Sequence, residues 1–354
     1  VLGPCLFEGW QVGIALGVAL LSATAVSWRW HRYDIGRGGT EAREARERPG
    51  PIRWFESWLN RIPDQNPRTG EDTLMLGGTR RGPVRKVPFG REKGVHAIVL
   101  GATGSGKTVT QAAIAQAYIS AGLPAIIVDP KGDGYLREVL QDAAAAAGAH
   151  FVEWAPFGRT VYNPLGRGGP TEITDKALAG HRWTEPHYEL ITQRLLGQVL
   201  TTMKAAAEWP PTLSTVVHRM DPERLDDLAA NVGGEVADRV SSYVDGLSGR
   251  AKAELGGGRD RLAVLAESEL GPRLDPALGD GPALSFEESL RRGDVVYMHT
   301  EADRYPVASK LLGAAVVIDL VTLTADLRDG GMRGLLVIDE FAAVAAEQIS
   351  RLFG

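Results

Sequence analysis

Gly101-Ala102-Thr103-Gly104-Ser105-Gly106-Lys107-Thr108 is the stretch that decides the fold. It fits the phosphate-loop pattern of a Gly, four residues, then Gly-Lys-Ser/Thr. Before it, Val95-His96-Ala97-Ile98-Val99-Leu100 is a short apolar run that reads as a buried strand. After it, Val109 to Ser120 carries Ala and Gln without Gly or Pro and reads as a helix. Strand, glycine-rich turn and helix form the context the motif requires. The rival reading, a glycine-rich turn without a ligand, does not account for both flanks.

Glycines let backbone N–H groups turn inward and approach a polyphosphate. The helix start adds unpaired N–H groups and the positive end of its dipole. The expected nucleotide contacts are therefore Gly101, Thr103, Gly104, Ser105, Gly106, Lys107 and Thr108. Lys107 is placed to reach the β- and γ-phosphates, and the Thr108 hydroxyl to ligate Mg²⁺.

The 354 residues are 44% hydrophobic and 23% charged, ordinary globular values with length for one large domain or two. The formal net charge is −5, so any nucleic-acid contact must come from a local basic patch. A single cysteine, Cys5, excludes an intrachain disulfide framework and a Cys-based zinc site.

Downstream of the loop helix, Pro124-Ala125-Ile126-Ile127-Val128-Asp129 reads as a second buried strand ending in an acid. Pro130-Lys131-Gly132-Asp133 is a turn, Tyr135 to Ala147 a helix, and His150 to Trp154 a third strand. Alternation of this kind indicates a parallel α/β sheet. Ligands in such sheets bind at the carboxyl ends of strands, which adds Asp129 and Lys131 to the expected cofactor-binding set.

From Thr171 to about Pro272 the pattern is helical throughout: Pro186–Ala207, Asp221–Val232, Glu235–Leu247 and Arg259–Leu270. This is an all-α insertion. Asp294–His299 then resumes the sheet. Ala308–Leu327 is apolar and long enough to span a membrane, but Lys310, Asp319 and Asp326 interrupt it, so it reads as a buried crossover helix.

Leu335-Leu336-Val337-Ile338-Asp339-Glu340 is a strand ending in two acids, the Walker B pattern. Asp339 is expected to hold Mg²⁺ opposite Thr108, and Glu340 to act as the general base on water. Lys107 and Glu340 are thus the expected catalytic pair. No Asn-Lys-x-Asp guanine-reading motif occurs, which favours ATP.

Upstream, Trp10 to Trp28 is a charge-free stretch of 19 residues. As a helix it spans roughly 28 Å, close to the hydrocarbon thickness of a bilayer. Trp10, Trp28 and Trp30 flank it, and Arg29, Arg32 and Arg37 follow it, which orients the body to the cytoplasm. A signal peptide and a buried helix are the rivals. Arg37–Gly70 is a charged connector, and Thr79–Lys86 is the densest basic run, either an exposed loop or a phosphate contact.

Gly101–Thr108, Val128-Asp129-Pro130-Lys131-Gly132-Asp133, Tyr162-Asn163-Pro164, the all-α insertion and Val337-Ile338-Asp339-Glu340-Phe341 together resemble the conjugative coupling proteins of the TraG/TraD kind. These fall in the wider FtsK/HerA group of P-loop ATPases. The resemblance covers roughly residues 75 to 350. It implies a RecA-like sheet, with ATP and Mg²⁺ as cofactors. It also implies a hexameric ring at the inner membrane that moves DNA, a relaxosome or secreted proteins through a type IV secretion channel. It places a sensor strand and a trans-acting Arg beyond Gly354, so the chain is expected to be C-terminally truncated. The expected organisation is an anchor at 1–32, a juxtamembrane linker at 33–74, ATPase domain at 75–170 and 281–354, and the insertion at 171–280. Two other readings are a chromosomal-DNA or protein pump, and a nucleotide-binding remnant that serves as an adaptor.

Overall fold

In the computed structural model, the described residues are 73–77, 85–88, 98–102, 104–183, 185–327 and 332–340. The anchor expected at Trp10–Trp28, the connector after it, Thr103 and everything from Phe341 onward lie outside them.

Two short strands, β1 (Thr73–Gly77) and β2 (Arg85–Pro88), pair antiparallel, with Thr73 opposite Pro88 and a register shift between Met75 and Gly77. The sequence reading placed no strand here. It assigned Thr73 to the linker and allowed Arg85 and Lys86 to sit in an exposed loop. Those two basic residues are instead strand residues.

The central sheet contains β3 (Ala125–Asp129), β4 (Phe151–Trp154), β5 (Val295–His299) and β6 (Leu335–Ile338). Their order is β4-β5-β3-β6, and every pairing is parallel. Ala125 stands beside Val295 on one side and Leu335 on the other, so the carboxyl ends of β3, β5 and β6 fall at one edge.

Alternation along each strand divides the core. Ala125, Ile127, Val295 and Tyr297 face one side. There they meet α1 (Lys107–Ser120) through Ala112, Ala115 and Ile119, and α2 (Gly134–Ala147) through Leu136, Leu140 and Ala143. Those helix positions recur every three or four residues, as one buried helical face requires. Ile126, Val128, Val296, Met298 and Trp154 face the opposite side. Each such aliphatic side chain, fully buried, stabilises the fold by about 1.5–3 kcal/mol.

That second face is covered by the helical region and by α11. The helices are α3 (Pro170–Leu178), α4 (Pro186–Ala205), α5 (Leu213–Arg219), α6 (Pro222–Val232), α7 (Gly234–Asp245), α8 (Gly249–Ala266), α9 (Gly271–Leu274) and α10 (Phe286–Arg292). α11 is Pro306–Leu327. Pro opens α3, α4 and α6, where its missing N–H has no helical partner to lose. The Asp221 carboxylate caps α6 by accepting from Glu223 and Arg224 N–H.

Leu195, Val199, Val216, Leu225, Val240 and Leu262 of the insertion belong to the same hydrophobic cluster as Ile126 and Val128. The insertion therefore shares the core of the sheet instead of building its own. Tyr162 and Asn163 help to fasten it. The Tyr162 hydroxyl donates to Asp319 Oδ2 of α11 at 2.9 Å, and Asn163 Nδ2 donates to Pro211 O at 2.9 Å. Lys176 of α3 is fully buried and reaches Asp319 Oδ1 at 3.0 Å, so the acid in the apolar helix is paired.

α11 is apolar enough to cross a bilayer by length and composition. Yet 67% of its most apolar window is buried inside the fold, in accord with the crossover-helix reading.

Two expectations need correction. α8 begins at Gly249, ten residues before the expected Arg259. Gly256-Gly257-Gly258 looks like a break, but Gly258 sits where α8 crosses α4. A Cβ there would lie 2.4 Å from Thr192 Oγ1, so the glycine serves packing. The second correction concerns Val95–Leu100. Its described part, residues 98–100, is not in the sheet, and Ile98 and Leu100 are 60% and 82% exposed. β6, the edge of the described sheet on that side, is only half-buried. With exposed side chains and no ladder bonds, residues 98–100 are not part of a core strand.

Candidate nucleotide site

The phosphate loop has the backbone its glycines permit. Gly104 and Gly106 have φ of 79° and 88°, values that L side chains rarely adopt. Gly101 approaches Ser105 so closely that a Cβ would fall 2.2 Å from Ser105 Oγ. Ser105 N–H donates to Ala102 O at 3.1 Å and closes the turn. Gly106 caps α1, leaving its first N–H groups at the loop. Lys107 Nζ folds back over the loop and donates to Gly101 O at 2.8 Å and Ala102 O at 3.4 Å. These carbonyls are weak partners for an ammonium, and the exposed loop leaves an anion free to displace them.

The acidic strand end reaches this loop through a residue the sequence reading did not single out. Gln111, on the second turn of α1, donates from Nε2 to Asp339 Oδ1 at 2.9 Å, and both side chains are buried. Asp339 N–H bonds to Val128 O and Asp339 Oδ1 also takes Glu340 N–H at 2.9 Å. Among the described residues, Gln111 Oε1 is buried with no hydrogen-bond partner. A buried amide oxygen without a donor is costly. Beside a buried carboxylate it fits a hydrated cation, whose waters donate. The donor set of Thr108 hydroxyl, Asp339 carboxylate and Gln111 amide suits Mg²⁺, a hard cation that keeps several waters. The signal available in the sequence was positional: Gln111 lies three residues after Thr108, on the same helical face.

Asp129 is used differently. It is fully buried, and its oxygens accept from three donors of the protein itself. Oδ1 takes Lys131 N–H at 2.9 Å, while Oδ2 takes Asp133 N–H at 2.6 Å and the Tyr297 hydroxyl at 2.7 Å. Burial, with Asp129 opposite, pushes the Tyr297 phenol well above its usual value, so it remains a donor. Asp133 in turn caps α2 through Leu136 N–H at 3.1 Å. The Asp129 carboxylate thereby shapes the Pro130–Asp133 turn.

That turn presents Lys131, whose Nζ meets Glu340 Oε1 at 2.8 Å. The hydrogen bond from Lys131 holds the Glu340 carboxyl below the usual range, and Lys107 adds to this. Glu340 raises the Lys131 ammonium reciprocally. With side chains 53% and 36% exposed, the pair contributes about 0–1 kcal/mol to stability. Glu340 has φ 42°, a left-handed backbone uncommon for a non-glycine residue. Such strain clusters at functional sites.

The structure thus brings Gly101–Thr108, Gln111, Lys131, Asp339 and Glu340 to one edge of the sheet, with Thr103 outside the described residues.

Residues 88–147 match the family model described as Helicase HerA-like C-terminal. That segment runs from the end of β2 through the phosphate loop, α1, β3 and the Asp129 turn to α2. It supports the resemblance to the FtsK/HerA group and a P-loop ATPase character. No curated protein matches. Among solved structures, the chain is similar to the unbound monoclinic form of the bacterial conjugative coupling protein TrwBdeltaN70. The identity is 18% and the TM-score 0.39, over 66% of this chain and 58% of that one. The trigonal form with sulphate gives 14% and 0.34, over 66% and 67% of the two chains. The plasmid coupling protein TrwB in complex with ADP and Mg²⁺ gives 14% and 0.32, over 64% and 65%. The chain therefore spans 58% of the length of the first of these relatives.

Proposed function

We propose that this chain is a membrane-anchored P-loop ATPase that couples hydrolysis of Mg²⁺-ATP to the movement of DNA or nucleoprotein, as in conjugation and type IV secretion. The observation that carries the ATPase reading is the Gln111–Asp339 hydrogen bond at 2.9 Å, which joins the loop helix to the acidic strand end. The HerA-like segment supports the motor class, and the Trp10–Trp28 stretch supports the anchor.

In this reading the loop N–H groups and Lys107 hold the β- and γ-phosphates. Thr108 would ligate Mg²⁺, and Asp339 and Gln111 would hold it through its waters. When bound, the ion neutralises charge on the phosphates. Glu340 accepts the proton of the attacking water. Lys131 stands beside that base. The resemblance extends this to a ring of subunits at the inner membrane, with partners in the secretion channel.

Lys107→Ala is expected to abolish ATP binding, whereas Glu340→Gln keeps binding and loses hydrolysis by about 100-fold or more. Equilibrium nucleotide binding and phosphate release on the same preparations check both. Stimulation of hydrolysis by added DNA tests the DNA-motor reading, and a rate indifferent to DNA counts against it.

A further inference from the structure

Lys131 has two possible anionic partners, and the structure shows it on one of them. The backbone beneath it is held from two strands. Asp129 of β3 takes the N–H groups of Lys131 and Asp133, and Tyr297 of β5 donates to the same carboxylate. The loop after β5 adds a bond from Ala302 N–H to Pro130 O at 2.6 Å. Gly132, at φ 78°, lies so close to His299 that a Cβ would be 3.0 Å from its Nδ1. The turn is fixed, and only the lysine stem is free to swing.

The opposite partner is fixed as well. β3 and β6 are parallel neighbours with Val128 beside Ile338, so the residues just beyond them meet across the same edge. Glu340 N–H is tied to Asp339 Oδ1, and the Glu340 carboxylate accepts the Lys131 ammonium. That carboxylate is the group that water must reach. Its partner cation is half-exposed, and an exposed ion pair of this kind yields readily to a stronger anion. The phosphate loop, on the same sheet edge, is where such an anion binds.

We propose that Lys131 is a positioning residue that restrains Glu340: it occupies the carboxylate in the nucleotide-free site and gives it up when it turns to the polyphosphate. The inference rests on the ATPase reading above and deepens it. Once released, Glu340 is free to take a proton from water as the γ-phosphoryl group leaves ADP.

The test uses the full chain and three variants: Lys131→Met, Lys131→Arg and Glu340→Gln. Hydrolysis is measured without DNA, with kcat and KM separated. Removing an exposed pair changes an equilibrium by up to about fivefold. Lys131→Met should therefore raise kcat by up to that factor and raise KM, because restraint and phosphate partner are lost together. Lys131→Arg, which keeps both pairings, should restore wild-type behaviour. A lysine that only supports the fold would lower kcat, and one that only binds phosphate would raise KM with kcat unchanged; either result overturns the proposal. In a second measurement, amine-labelling of Lys131 is followed by mass spectrometry without nucleotide. Glu340→Gln should speed the labelling, and an unchanged rate also overturns the proposal. Failure of the wild type to bind ATP defeats the ATPase reading and this inference with it. Binding with a kcat unmoved by Lys131→Met defeats the inference alone.

Discussion

Two parallel neighbours, β3 and β6, each lead to a buried aspartate, Asp129 and Asp339, and the two acids have different partners. Asp129 is saturated by its own chain: two backbone N–H groups and a tyrosine hydroxyl. Among the described residues, Asp339 takes an amide from Gln111 and one backbone N–H, next to a Gln111 oxygen with no donor. A strand that ends in an acid thus signals a functional edge without saying which acid serves structure and which serves a ligand.

The largest effect that would break this comparison is expected at Asp129. Asp129→Ala leaves three donors without an acceptor, which costs about 3 kcal/mol or more and is read as a lowered denaturation midpoint. Asp339→Ala strands the buried Gln111 amide and one backbone N–H, and should cost less, about 1–2 kcal/mol, while lowering hydrolysis by at least about 100-fold. Equal destabilisation by both would erase the distinction. Next in size is Gln111→Ala. Because Gln111 orients Asp339, its loss should weaken Mg²⁺ dependence by about 10- to 100-fold, seen as a shift of the Mg²⁺ activation curve with little change in kcat at saturation.

The smallest effect lies away from the site, in the insertion. Burial, with Arg261 and Lys310 nearby, pushes His181 from 6.5 down to about 4. A histidine held neutral in the fold favours the folded state fully above 6.5, and that contribution is lost as pH falls from 6.5 toward 4. At pH 6 the loss is about 1 kcal/mol. His181→Gln should flatten this acid limb in denaturation curves without altering nucleotide binding, which confirms that the helical face and the nucleotide edge titrate independently.

Much of this molecule was legible in its sequence. β3, β5 and β6 are unbroken apolar runs ended by acid or turn residues, a pattern that a doubly covered parallel strand leaves behind. α11 was separable from a membrane span because Asp319 in its middle needs a buried partner, which Lys176 provides. Other features were hidden for physical reasons. Gly256-Gly257-Gly258 reads as a stop until Thr192 is placed against Gly258. α5, seven residues long and rich in β-branched side chains, has weak helical propensity and is held by the Thr212 cap and by Val216 in the core. Ile98 and Leu100 look like core and stand in water. Within the site, Lys107, Asp339 and Glu340 follow from motif spacing. Gln111 and the pairing of Lys131 with Glu340 depend on contacts between elements far apart in the chain.

The central claim is that the phosphate loop and Asp339, and not Asp129, form one Mg²⁺-nucleotide site. Its most direct test is equilibrium binding of a fluorescent ATP analogue to wild type, Asp339→Ala and Asp129→Asn, each with Mg²⁺ and with chelator. Asp129→Asn keeps one acceptor oxygen for the turn and replaces the other by a donor, so its folding is verified by thermal denaturation before binding is compared. Mg²⁺ should tighten binding to wild type and to Asp129→Asn by the same factor and leave Asp339→Ala unaffected. A Mg²⁺ effect retained in Asp339→Ala, or lost in Asp129→Asn, would contradict the account.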